Sequence, residues 1–272
     1  MSNSKIITPW LSENLESLHK HEEELRTKSV LEINADQNLK DQMIITQESL
    51  NMVFDVTKSY KTEDKIELTI QYIGARLFNS IVTAIKLMFS GYYQSSVMLQ
   101  RDIVEIGFLL DYFLSDKSKI EEWKNSSTKE SKDKFSPVAV RKALDDRDGF
   151  QGRKRQEIYK LMSEMSTHPT YAGFKLLAPD GKVHLGPFFD AKYLKHLVHE
   201  LALSVPNFTV IYISHFENLP ATFLKVRVKY LATIKAWAQK YLKSDLTHLD
   251  IDGIQEQVEF VLKHVKSLNE DA

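Results

Sequence analysis

Three charged residues interrupt the most apolar stretch of the chain. Arg101, Asp102 and Glu105 lie within Gly91 to Leu114, GYYQSSVMLQRDIVEIGFLLDYFL. Charged side chains are rarely fully buried unless paired, and an unpaired charge in an apolar interior is very costly. Arg101 and Glu105 stand at i and i+4, which on a helix puts them on one face and within reach of each other. A guanidinium held in this way can bind a phosphate or carboxylate through its planar fork, and the carboxylate beside it can orient it or act as a base. The competing reading is a structural ion pair that ties two helices or lies on an exposed seam. Asp102, one residue further round, is expected to face another neighbour or solvent.

A second polar cluster follows in Tyr159, Ser163, Ser166, His168 and Thr170, with Pro169 between the last two. Histidine is the usual proton-transfer group near neutral pH, and the carbonyls of a helix C-terminus favour its charged form. In the functional reading His168 meets Arg101 or Glu105 across the interior and moves a proton, while the hydroxyls orient a ligand. In the plainer reading His168 caps a helix that Pro169 brings to an end. No nucleophile-elbow pattern accompanies the serines.

The other chemical signals are weak. His196-x-x-His199-Glu200 lacks the i, i+4 spacing with an intervening Glu of helical zinc proteases. There is no cysteine, so thiolate catalysis, disulfides and cysteine metal sites are excluded. Arg153-Lys154-Arg155 puts positive charge at a helix start, against the dipole, which a phosphate-facing surface would explain and a solvated face explains as well. Lys225, Arg227 and Lys229 spread round their helix. No phosphate-binding glycine loop, dinucleotide fingerprint or zinc-finger spacing occurs. No cofactor and no metal are therefore expected.

The elements that must position these residues read as helices. Gly (9) and Pro (7) hold roughly half their usual share of the 272 residues. Few breakers and many good helix formers favour long helices. After a candidate start at Thr8-Pro9, Leu11, Leu15, Leu18 and Leu25 form a narrow stripe, so residues 1–35 read as a helical arm that packs on the body, a partner or a second copy. Asn38 to Ser59 is a second helix. Thr62-Glu63-Asp64 starts a third that runs to Ser90, and Gly91 separates it from Tyr92 to Ser115. Asn125 to Ser136 reads as an exposed polar loop, and Ser136-Pro137 as a new helix start. Two apolar runs in 174–189 flank Pro179-Asp180-Gly181, which is turn chemistry and predicts a small β-hairpin. Asp190 to Phe216, kinked or broken at Pro206, then Pro220 to Lys243 and Ile251 to Leu268 complete the set. The expectation is an all-α protein, one helical bundle of eight or nine helices over residues 1–272.

The net charge of −1 and pI near 6.8 carry no global field for nucleic acid or membrane. No apolar run of spanning length occurs, and a cytoplasmic, membrane-free protein is expected.

The run Gln94 to Glu105, with small residues, a leucine and then Arg101-x-x-x-Glu105, resembles the core helix of a family of uncharacterised bacterial helical proteins. Tyr159, Ser163 and Ser166-x-His168-Pro169 match that family's second motif, and Trp123 fits too; the likeness covers residues 70 to 170. The family in turn resembles the HEPN-type domains of toxin and phage-defence systems. That resemblance implies a helical fold in a bacterial defence or stress context. The charge placed in an apolar helix points to an anionic ligand, most naturally an RNA phosphate or a nucleotide, with Arg101 binding it, Glu105 fixing Arg101 and His168 moving a proton. The Arg-then-His spacing of HEPN nucleases is missing, because no histidine here has an arginine five to seven positions before it. The alternative is an interaction or oligomerisation scaffold, a homo-oligomer through the N-terminal helices, whose Arg/Glu/His cluster is structural.

Overall fold

A computed structural model describes residues 12–150, 154–167, 169–217 and 219–243. Eleven α-helices lie among them: α1 (Glu13–Ala35), α2 (Gln37–Phe54), α3 (Lys65–Phe89), α4 (Tyr93–Ser115), α5 (Ser118–Asn125), α6 (Thr128–Phe135), α7 (Pro137–Arg147), α8 (Lys154–Met162), α9 (Tyr171–Lys175), α10 (Ala191–Ile213) and α11 (Ala221–Leu242). The protein is all-α. Single π turns extend α2 over Asp55–Ser59 and α8 over Ser163–Thr167.

Local chemistry sets most of the boundaries. The Ser12 hydroxyl accepts from the Leu15 amide at the start of α1, and Asp64 caps α3 through two amides. Gly91 takes φ +85° between α3 and α4, and a Cβ there would press on the Phe188 backbone and on Leu25. Only glycine combines that backbone with that closeness. Pro206 does not break α10, which runs unbroken through it.

The core is built on α2, α3, α4 and α10. Leu77, Ile81, Leu110, Phe113, Leu201 and Tyr212 are fully buried there. Helix α1 joins this body from Glu22 onward: Tyr92 donates to Glu22 at 2.7 Å, and the buried Ser29 hydroxyl donates to the Phe89 carbonyl at 3.0 Å. Its leucine stripe is therefore divided. Leu25 is buried, Leu15 is exposed, and Leu11, like Thr8-Pro9, lies outside the described residues, as does 251–268.

Two expectations are corrected. No β-hairpin forms over 174–189, and no strand occurs among the described residues. The Pro179-Asp180-Gly181 turn is real, with Gly181 at φ +79°. Its flanks, however, are joined by the His184 amide donating to the Leu177 carbonyl at 2.9 Å rather than by a ladder, while Phe188 turns away to donate to Gly91 and to meet Tyr93 edge-on. The end of the second run, Phe188 and Phe189, packs on the body, while Val183 and Leu185 before it are exposed. Residues 125–136 are not a loop: Ser127 and Glu130 form a reciprocal capping box, and Phe135 anchors the far end of α6 in the core.

Candidate functional site

Helix α4 carries two faces. Val97, Ile103, Gly107, Leu110 and Phe113 go to the core, while Arg101 and Glu105 turn toward α7 and α8. Arg101 Nη2 lies 2.7 Å from Glu105 Oε1, each side chain about one quarter exposed or less. The pair meets on one face, as its spacing predicts. Asp102 does not join it. That carboxylate faces α3, where Arg76 donates to it at 2.6 Å and Ser80 at 2.7 Å.

Tyr159 of α8 lies against the pair. Arg101 donates to its hydroxyl, and the Arg101 guanidinium stands 4.6 Å from the ring centroid. A second guanidinium, that of Arg141 on α7, is closer still at 3.7 Å. Such stacking is worth about 0.5–2 kcal/mol, depending on desolvation. Arg141 is only 6% exposed, and its Nε and Nη1 have no hydrogen-bond partner among the described residues. A buried donor left unmade costs about 1–3 kcal/mol, and more when charged.

The carboxylates nearby are already taken. Asp145 sits at i+4 from Arg141 but accepts from Arg155 at 2.8 Å. Asp148 is bound by both Arg147 and Arg155. Arg147 also grips Asp111 of α4 at 2.8 and 3.1 Å. Hydrogen bonding to Arg147 first, and then to Arg155, pulls the Asp148 carboxyl down to about 2. Arg155 feels desolvation, which alone would lower it, but bonds to Asp145 and Asp148 outweigh that and raise it. These pairs lace α4, α7 and α8 together. Arg155, read in the sequence as part of a basic cluster facing either phosphate or solvent, is thus engaged inside the protein by Asp145 and Asp148.

The remaining expected residues fare differently. Ser163 opens the π turn, is buried, and its Oγ has no partner among the described residues. Thr170 is a cap: its hydroxyl accepts from the Gly173 amide at 3.0 Å and donates to the Glu164 carbonyl. The Ser166 backbone belongs to the π turn, but its side chain and the whole of His168 lie outside the described residues. His199 is held near Gln42, 3.4 Å away, and among the described residues no group of three or more His, Asp or Glu could hold a metal ion. No described helix is long and apolar enough to cross a membrane.

Sequence reasoning missed Arg141. The signal was present: Arg141-x-x-x-Asp145 repeats the spacing of Arg101-x-x-x-Glu105. In PVAVRKALDDR, however, it reads as one more solvated charge.

Arg141 lines a cavity of about 430 Å³ between α7 and α8. Lys142 and Gln156 share its wall with Phe150, and Asp146 stands opposite as a further acceptor. Cations, an aromatic face and a carboxylate around one space can hold an anionic group, a flat ring and a hydroxyl or amino donor together. No family model, no curated protein and no solved structure matches the chain.

Proposed function

We propose that the protein binds a phosphate-bearing ligand, a nucleotide or an RNA phosphate, at the centre formed by Arg101, Arg141 and Tyr159. The observation that carries this reading is Arg141, a guanidinium nine-tenths buried, with two donors unmade among the described residues, while Asp145 and Asp148 nearby are engaged by Arg155 and Arg147. A small rotation of its head into the cavity it lines would let a phosphate supply the missing acceptors. Glu105 holds Arg101 in place beside it, and Tyr159 fixes both guanidinium groups. Asp146 in the same wall offers an acceptor for the donors of a base. The size of the cavity, about 430 Å³, suits a mononucleotide better than a long strand.

Calorimetric titration of the full chain with ATP, and separately with a short single-stranded RNA, tests this. Arg141→Met is expected to weaken binding about tenfold or more, which corresponds to about 1.4 kcal/mol. ATP binding without RNA binding would select the nucleotide, and a strongly salt-dependent RNA isotherm would select RNA. Equal affinity in wild type and Arg141→Met, or no binding of either ligand at millimolar concentration, would sink the proposal. A proton-transfer role for His168 is a separate question: His168→Asn should leave that binding intact and remove any turnover.

A scaffold reading has its own support, the ion pairs that bind α4, α7 and α8 into one block. It predicts the opposite pattern for Arg141→Met, a lower melting temperature and no ligand to lose.

A further inference from the structure

A larger cavity lies on the other side of the same α8 segment. Tyr159 belongs to the polar centre, whereas Met162 and Met165 face a space of about 670 Å³ between this segment, α4 and α10. Val97, Tyr93, Tyr193 and Leu197 complete its apolar wall. Methionines adapt to ligands of irregular shape, and both the size and the apolar lining are those of a small-molecule site. In its wall stands Gln100, 2% exposed, whose amide nitrogen reaches, among the described residues, only the Leu197 carbonyl at 3.5 Å. That contact is at the limit of a hydrogen bond. The rim is close to charge-balanced. Lys195 is held by Glu32 at 3.1 Å and Asp36 at 3.6 Å, and Lys192, His196 and Glu200 also line it, one cation, one imidazole and one carboxylate.

We infer that this cavity binds an uncharged, mainly apolar molecule with one carbonyl or hydroxyl group, which Gln100 receives while the body lies against Met162, Met165 and Val97. The balanced rim selects against a charged head, and an amide at the end of an apolar wall selects for a single polar group. This site is independent of the phosphate proposal.

The test uses the full chain with N-phenyl-1-naphthylamine as a fluorescent probe and dodecanol, dodecanoate and dodecylamine as competitors. A rise in probe fluorescence, with displacement by dodecanol at least several-fold tighter than by either charged compound, is expected. Val97→Trp fills the space from α4 and Met165→Trp from the facing wall. Whichever of them keeps the wild-type circular dichroism should lose the signal about tenfold. Gln100→Leu should weaken dodecanol several-fold and spare the probe. Absence of probe binding, which is the result if another part of this chain or a second copy already fills the space, would overturn the inference. So would a signal unchanged in a folded Trp variant, or tighter displacement by a charged competitor.

Discussion

The two faces of α4 obey opposite rules. Around Gly107, where α4 meets α3 and the second half of α10, packing is tight: a Cβ on Gly107 would overlap the Phe208 ring, and one on Gly74 of α3 would lie 2.5 Å from Tyr212. The Tyr212 hydroxyl there is paired with Thr57 at 2.8 Å. Toward α7 and α8 the same helix meets charges, a π turn, and donors left unmade on Arg141. Interiors transmit any change in volume, so the first face holds the fold. A polar face that tolerates an unmet guanidinium is less stable than it could be, and such sites are where function is found.

That contrast can be broken at its tight side first. Gly107→Leu drives a side chain into Phe208, and overpacking of this degree costs about 3 kcal/mol or more. Chemical denaturation should show a fall of that size or an unfolded chain; a wild-type midpoint would mean that α4 and α10 are looser than described.

Acid probes the same face. His215 is 4% exposed, its Nε2–H donates to the Leu110 carbonyl at 3.0 Å, and its Nδ1 has no partner. Burial above all holds it down to about 4, below its unfolded value near 6.5. The unfolded chain therefore takes up the proton first. The stabilising contribution is complete above pH 6.5 and is lost as pH falls toward 4, up to about 3 kcal/mol in all. Denaturation midpoints at pH 7 and pH 4.5 in wild type and His215→Gln measure it, and parallel losses in the two would remove His215 from the account.

The smallest effect belongs to the outer edge of α4. Arg76 is mostly exposed where it meets Asp102, and such pairs contribute about 1 kcal/mol or less. Arg76→Ala should leave the denaturation midpoint nearly unchanged, whereas a large drop would show that Asp102 belongs to the structural core of the helix.

Much of the tight face was legible in the sequence, because helical periodicity and caps are local signals. The lengths of α3 and α4, the break at Gly91, the Arg101–Glu105 contact and the separate path of Asp102 follow from spacing alone. The polar face was legible only in part. Arg101 and Tyr159 could be named as candidates, but their meeting with Arg141 depends on how α7 crosses α4, which no local pattern encodes. Whether Asp145 would serve Arg141 or Arg155 is likewise decided in three dimensions. The hairpin expected over 174–189 failed for a related reason: the turn residues were read correctly, but the apolar run after them found a better partner in Tyr93 than in its own flank.

The most direct measurement is the melting temperature of Arg141→Met with and without ATP. Replacing a buried, unsatisfied guanidinium by an apolar chain of similar length removes a desolvation cost. The account predicts a melting temperature equal to or above wild type in the absence of ligand, and loss of the rise that ATP gives the wild-type chain. A variant that melts clearly lower without ligand yet keeps the ATP-induced rise would contradict it, and would make Arg141 a structural clamp.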